Sequence, residues 1–178
     1  MTAATFKTME IPMKNRIAAI LVVLASTTLL AASADPDSGK ETRNTALARR
    51  VFEEGLNQGI FTVPYADDFV GHGGARNFTH ADGLAEAKGW RSAFPDLRMT
   101  VEQTVAEGDL VSLRWTARGT NTGAGNGLQA TGRRVEVSGM VMFRFENGKL
   151  AEEWPSGDNL GLMRQLGLLP AAKAANSR

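Results

Sequence analysis

Asp158 is the residue of this sequence best placed to move a proton. It follows Glu152-Glu153-Trp154-Pro155-Ser156-Gly157 and stands directly ahead of a short segment in which Leu160, Met163 and Leu166 fall at helical spacing. A carboxylate in such a place has two uses. At the mouth of an apolar pocket it sheds water and becomes a general base; at the start of a helix it caps the first free amides. His72 is the second group of interest, one of two histidines, set in Gly71-His72-Gly73-Gly74. A neutral imidazole there can donate to a developing oxyanion or relay a proton, although a histidine in a glycine turn is equally an ordinary surface residue. His80 has no such surroundings and reads as a surface or capping-region residue.

Other chemistries lack their residues. Two histidines and no cysteine leave few transition-metal ligands, and no HExxH spacing occurs, so no metal is expected. There is no GxSxG elbow and no P-loop. Gly123, Gly125 and Gly127 have a GxGxG spacing but fall in a loop between strands, away from any strand-to-helix turn, so no dinucleotide cofactor is expected. With 20 basic and 19 acidic residues, the chain has no electrostatic footprint for nucleic acid.

The elements that must hold these side chains are legible in the apolar periodicity. Leu47, Val51, Phe52 and Leu56 predict a helix over 44–57, with Asn44 as N-cap and Gly59 as stop. Residues 67–74 read as a short strand ending in glycines. A second helix from Asp82 carries Leu84, Ala87, Trp90 and Phe94 on one side and ends before Pro95. Period two then takes over. Met99, Val101, Gln103 and Val105 share one face of a strand, and Val111, Leu113, Trp115 and Ala117 one face of the next. Residues 120–132 form a long loop. Val135, Val137, Gly139, Val141, Phe143 and Phe145 face one way on a third long strand, whose other face, with Met140 and Met142, is only half polar and suits contact with a second subunit. Asn147-Gly148 is a hairpin turn, Lys149 to Trp154 the returning strand, and the last helix starts near Asn159 with Leu160, Met163 and Leu166 inward. Helices first and long antiparallel strands afterwards make an α+β layout.

Several short segments also occur in a recognisable order: Phe94-Pro95-Asp96, the Glu107-Gly108-Asp109 turn, Gly119-Thr120, Ala130-Thr131-Gly132-Arg133, the run from Phe143 to Lys149, and Glu152-Glu153-Trp154 followed by Asp158 and Gln165-Leu166-Gly167. Together they resemble the SnoaL-like polyketide cyclase (ester cyclase) branch of the NTF2-like superfamily, over most of the chain after Thr45. The resemblance implies an NTF2-like cone, a curved antiparallel-dominated sheet with the N-terminal helices on its concave face enclosing a pocket. It implies cofactor-independent acid–base chemistry on an apolar carbonyl-containing small molecule: intramolecular aldol closure, or a related isomerase, lyase or hydrolase reaction. Asp158 falls at the position of the general base and His72 at one that faces the pocket. The expected lining is Trp90, Phe94, Trp115, Asn121, Val141, Phe143 and Trp154, though the tryptophans serve equally well as plain core. The chain departs from the pattern at Asn121, usually His, and at Val141, where many such enzymes place a polar group. These departures keep open the alternative of a non-catalytic binding or dimerisation module.

Before this domain, Lys14 and Arg16 precede an apolar run from Ile17 to Ala32 and the small residues Ala32-Ser33-Ala34. This is the pattern of a signal peptide over 1–34, cleaved after Ala34, with Met13 an alternative start and an uncleaved anchor the competing reading. It predicts a secreted or periplasmic protein, free of the membrane once processed. Residues 35–43 are expected to be a flexible lead-in, 44–169 one domain that associates as a homodimer, and 170–178 a disordered tail.

Overall fold

The computed structural model describes residues 36–170; the expected leader over 1–34 and the tail from 171 lie outside the described residues. Helix α1 (Pro36–Arg50) runs directly into a π-helical turn, Val51–Leu56. It begins at Pro36 rather than at Asn44, so the flexible lead-in expected over 35–43 is helical from Pro36. The first turns have partners: Lys40 pairs with Asp109 at 2.6 Å, and the Glu41 carboxylate accepts from the Gly108 amide at 2.7 Å. Asn44 is 3% exposed, so it faces the core and caps nothing. The π turn buries Phe52 and Gly55.

Strands β1 (Tyr65–His72) and β2 (Asn77–Phe78) form a hairpin ahead of helix α2 (His80–Ala93). Thr79 caps α2 in a reciprocal box with Asp82, a pattern that fixes where a helix starts. Here the start is two residues ahead of the expected Asp82. The long strands β3 (Arg98–Glu107), β4 (Leu110–Thr120), β5 (Arg134–Glu146) and β6 (Lys149–Gly157) follow, and then the short helix α3 (Asn159–Gln165). The sheet order is β2-β1-β6-β5-β4-β3. Among the described residues only β1 and β6 run parallel; every other pair is antiparallel. Asn147 and Gly148 both have positive φ, 51° and 76°, as a two-residue type I′ turn requires. Strand β6 continues through Pro155, paired with Val141, past its expected end at Trp154. Beyond Glu153 its β1 side is open, and a strand with one free edge tolerates a residue without an N–H.

Two bulges decide which side chains face inward. The β3–β4 register shifts between Val101 and Gln103, and from there Thr104 and Ala106 are the half-buried residues while Val105 is 69% exposed. Gln103 and Val105 therefore do not share the inner face with Met99 and Val101. An extra residue in one strand reverses the alternation beyond it. The second shift, between Arg144 and Phe145, leaves Ala151 of β6 unpaired, and Leu150 and Ala151 are both buried.

The concave face of the sheet and α1 with its π turn enclose one core, centred on Phe143, Phe145, Leu113, Leu150 and Val111, all at most 1% exposed. A second cluster joins the end of α2 to α3 through Ala93, Phe94, Leu128, Val135, Leu162 and Leu166. Helix α3 is turned from the expected face: Leu162 and Leu166, four apart, are buried, and Leu160 is 52% exposed. Among the described residues no helix is long and apolar enough to cross a membrane.

Candidate functional site

Between the concave face, the π turn and α2 lies a cavity of about 750 Å³, the size of a pocket for a drug-sized molecule. Its walls are largely apolar: Phe52, Phe69, Phe94, Leu97, Met99, Trp115, Val137 and Val141. Trp115 can lie across the sheet because its neighbour on β5 is Gly139. A β-carbon there would come within 2.3 Å of the indole and 2.4 Å of the Ser156 carbonyl oxygen. Phe52 packs against the same indole at 6.4 Å.

Into this apolar space projects one carboxylate without a partner. Glu153 lines the cavity; it is partly buried, and among the described residues no hydrogen bond or ion pair reaches its side chain. Burial, reinforced by the nearby Glu86 carboxylate, pushes its pKa up to about 7. Desolvation penalises the charged form of an acid, and a like charge adds to the penalty. Glu86, on α2, is itself exposed and accepts the Trp90 indole N–H at 3.1 Å.

Beside Glu153 stands Tyr65. Its ring stacks on His80 (centroids 3.8 Å apart, 14° between planes) and meets Phe69 edge-on at 4.9 Å. Burial first, and then the Glu153 charge, raise the phenol above its ordinary pKa, so the O–H stays protonated throughout the neutral range. Tyr65, His80 and Glu153 all line the cavity, and none of the three was expected there from the sequence. Strand β6 departs from simple alternation. Counting by twos from the inward Leu150 sends Glu152 and Trp154 inward; the bulge at Ala151 reverses this and puts Glu153 and Pro155 in the cavity wall instead. A bulge leaves little trace in a sequence, and the only signal here was a pair of adjacent glutamates, one of which had to face in.

Of the expected lining residues, Trp90, Phe94, Trp115 and Val141 are in the cavity wall. Phe143 is not; it is fully buried beneath it. His72 and Trp154 are on the opposite face of the sheet, stacked at 4.6 Å and 5°, because Val70 and Gly71 pair with Glu152 and Glu153 and so fix the parity of β1 against that of β6. There the His72 Nε2 meets Glu152 at 2.7 Å and Arg144 meets the same carboxylate at 2.6 Å, contacts that hold Glu152 below the usual carboxylate range. Asn121 is buried and does not line this cavity. Its amide donates to the Ala93 and Gly123 carbonyls, both at 3.1 Å, and its oxygen accepts from the Thr131 amide and hydroxyl, both at 2.9 Å. Asp158 is exposed at the cavity rim, and its Oδ1 accepts the Gly161 amide at 2.7 Å as the N-cap of α3.

Among the described residues no three His, Cys, Asp or Glu side chains come together as a metal site would require. The cavity is thus equipped to bind an apolar molecule, to accept a proton at Glu153 and to donate a hydrogen bond from Tyr65. A family model described as SnoaL-like polyketide cyclase matches residues 46–166. Among solved structures the chain is similar to AclR of Streptomyces galilaeus, a proposed hydroxylase, at 30% identity over 75% of this chain and 87% of that one, with a TM-score of 0.67. It is similar to IdmH of Streptomyces antibioticus, a proposed polyketide cyclase, at 29% identity over 70% and 98%, with a TM-score of 0.60. In fold alone it is similar to a proposed SnoaL-like polyketide cyclase from Jannaschia sp. CCS1, at 23% identity over 78% and 99%, with a TM-score of 0.67. No curated protein matches the chain.

Proposed function

Because the chain belongs to the SnoaL-like polyketide cyclase family, we propose that it carries out cofactor-independent acid–base chemistry on an apolar carbonyl compound held in this cavity, with Glu153 as the general base. One observation carries the reading: an unpaired carboxylate in an apolar wall, with its pKa near 7. A base is most effective when its pKa lies close to the working pH. Glu153 takes the proton from the carbon next to a carbonyl, and the C–H electron pair moves onto the carbonyl oxygen. The enolate carbon then attacks a second carbonyl of the same molecule, a C–C bond forms, and the new alkoxide recovers the proton from Glu153. Nothing is gained or lost, and the apolar walls keep water from the enolate. Asp158, the base expected from the sequence, is engaged by the Gly161 amide and open at the rim. Its role in this account is to hold the start of α3 beside the cavity mouth.

Deuterium uptake at C1 of 2-tetralone in D2O, followed by NMR, tests the base without knowledge of the natural substrate. Glu153→Gln should lower the protein-catalysed rate by about 10²-fold or more, and Asp158→Asn should retain most of it. The wild-type rate should rise with pH through about 7 and then level, since only the ionised carboxylate accepts a proton. The titratable groups around Glu153 are Tyr65 and Glu86, with His80, Asp82 and Asp158 nearer the rim. The apolar wall at Val141 supports a second reading, a binding protein without turnover. Equal exchange by wild type and Glu153→Gln would favour it.

Export and pairing of two copies belong to the same proposal. The basic head, apolar run and Ala32-Ser33-Ala34 support the first. The outer face of the sheet, where Met140 is 53% exposed, supports the second. Protein recovered from its host should begin at Asp35 and sediment as a dimer; an intact leader or a single-chain mass would overturn the respective part.

A further inference from the structure

We propose that Tyr65 is the second catalytic group of the cavity, its phenol O–H donating to the carbonyl oxygen of the molecule whose C–H proton Glu153 removes. This rests on the role given to Glu153 above. The chain has one tyrosine, and its side chain is in the cavity wall. Among the described residues no group hydrogen-bonds its phenol oxygen. Tyr65 is partly buried and its hydroxyl is not among the enclosed unpartnered polar atoms, so a phenol O–H in this wall is open to a molecule in the cavity, where its donor is available.

The surroundings fix the ring that carries that donor. Strand β1 sets the backbone of Tyr65 opposite Leu150 of β6, and Glu153 is three residues further along the same strand, opposite Gly71. At a rise of about 3.3 Å per residue and about 4.8 Å between neighbouring strands, the two side chains leave the sheet about 10 Å apart along β6 and one strand apart across it, the first distance shortened where Ala151 bulges. Both enter the same cavity, which leaves room between their tips for a carbonyl and its neighbouring carbon. The tyrosine ring has little freedom, clamped face-on by His80 and edge-on by Phe69. A donor already in place costs no reorganisation as charge develops on the oxygen. The other polar side chains around the cavity are less suited. Arg76, His80, Asn126, Ser156 and Asn159 are exposed. Arg50 and Arg118 are paired with Glu54 and Glu136.

In this scheme the proton leaves carbon for a Glu153 oxygen, the C–H electron pair becomes the enolate, and Tyr65 keeps its own proton while its O–H bears on the enolate oxygen. The step balances without any co-reactant. Protonation of Tyr65 across the neutral range agrees with it.

The experiment uses the folded mature protein and 2-tetralone labelled with ¹³C at the carbonyl. Tyr65→Phe keeps the ring and its stacking. It should lower the exchange rate at saturation by about 10²-fold, the loss expected of a removed oxyanion donor, with KM changed less than about threefold and the pH inflection near 7 retained. In wild type the bound carbonyl resonance should move downfield of its position in water-free solvent, and Tyr65→Phe should lose that shift. Glu153→Gln should keep the shift while losing exchange, so failure of the donor and failure of the base are read separately. Exchange by Tyr65→Phe within threefold of wild type, or equal carbonyl shifts in the two proteins, would overturn the assignment. Absence of any bound signal in wild type would overturn it together with the cavity reading.

Discussion

Glu153 is held at a cost to the fold, and that cost is measurable apart from any reaction. Its folded pKa, about 7, is above the 4.5 of an unstrained glutamate, so between these values the folded protein binds more protons than the unfolded one. Stability contributed by the neutral form is complete below about pH 4.5 and is lost as pH rises through 7. Glu153→Gln should therefore unfold at higher urea than wild type at pH 8, by about 1–3 kcal/mol, and match it near pH 4.5. A side chain whose removal stabilises the protein while abolishing exchange is retained for its chemistry; a loss of stability at pH 8 would mean Glu153 has a favourable partner in the fold. His72 is instead held by partners, its Nε2 on Glu152, which Arg144 also grips, and its ring on Trp154.

At the scale of elements, the cavity depends on how irregularities in the strands aim side chains. The long strands, the Asn147-Gly148 hairpin and α2 with its cavity-facing Leu84, Ala87, Trp90 and Phe94 were all legible as periodicity. What periodicity cannot convey is a bulge. One unpaired residue at Ala151 exchanged Trp154 for Glu153, and one near Glu102 turned Val105 outward. The same limit explains Asn121, which looked like a pocket donor and is instead the tie between the end of α2 and the long 121–133 loop. Asn121→Ala takes the side-chain partner from the Gly123 carbonyl and the Thr131 hydroxyl and one of two partners from the Ala93 carbonyl and the Thr131 amide, and should cost about 1–3 kcal/mol in urea unfolding. A cost below about 1 kcal/mol would show that water replaces those bonds and that the loop does not rely on them.

For the molecule as a whole, the fold puts an apolar cavity between one face of a sheet and the helices that cross it, and the family relationship says that this architecture serves small-molecule chemistry. The overall layout followed from the sequence because it is written in many residues at once. The reactive group did not, because it depends on the parity of a single strand. Proton transfer in this cavity therefore turns on whether one carboxylate, placed by that parity, is desolvated. The direct measurement is a ¹³C NMR titration of the glutamate side-chain carboxyls, with Glu153 assigned by the resonance missing from Glu153→Gln. A midpoint near 7 is the predicted result. A midpoint near 4.5 would mean that Glu153 is solvated, and would contradict the claim that this cavity holds a base.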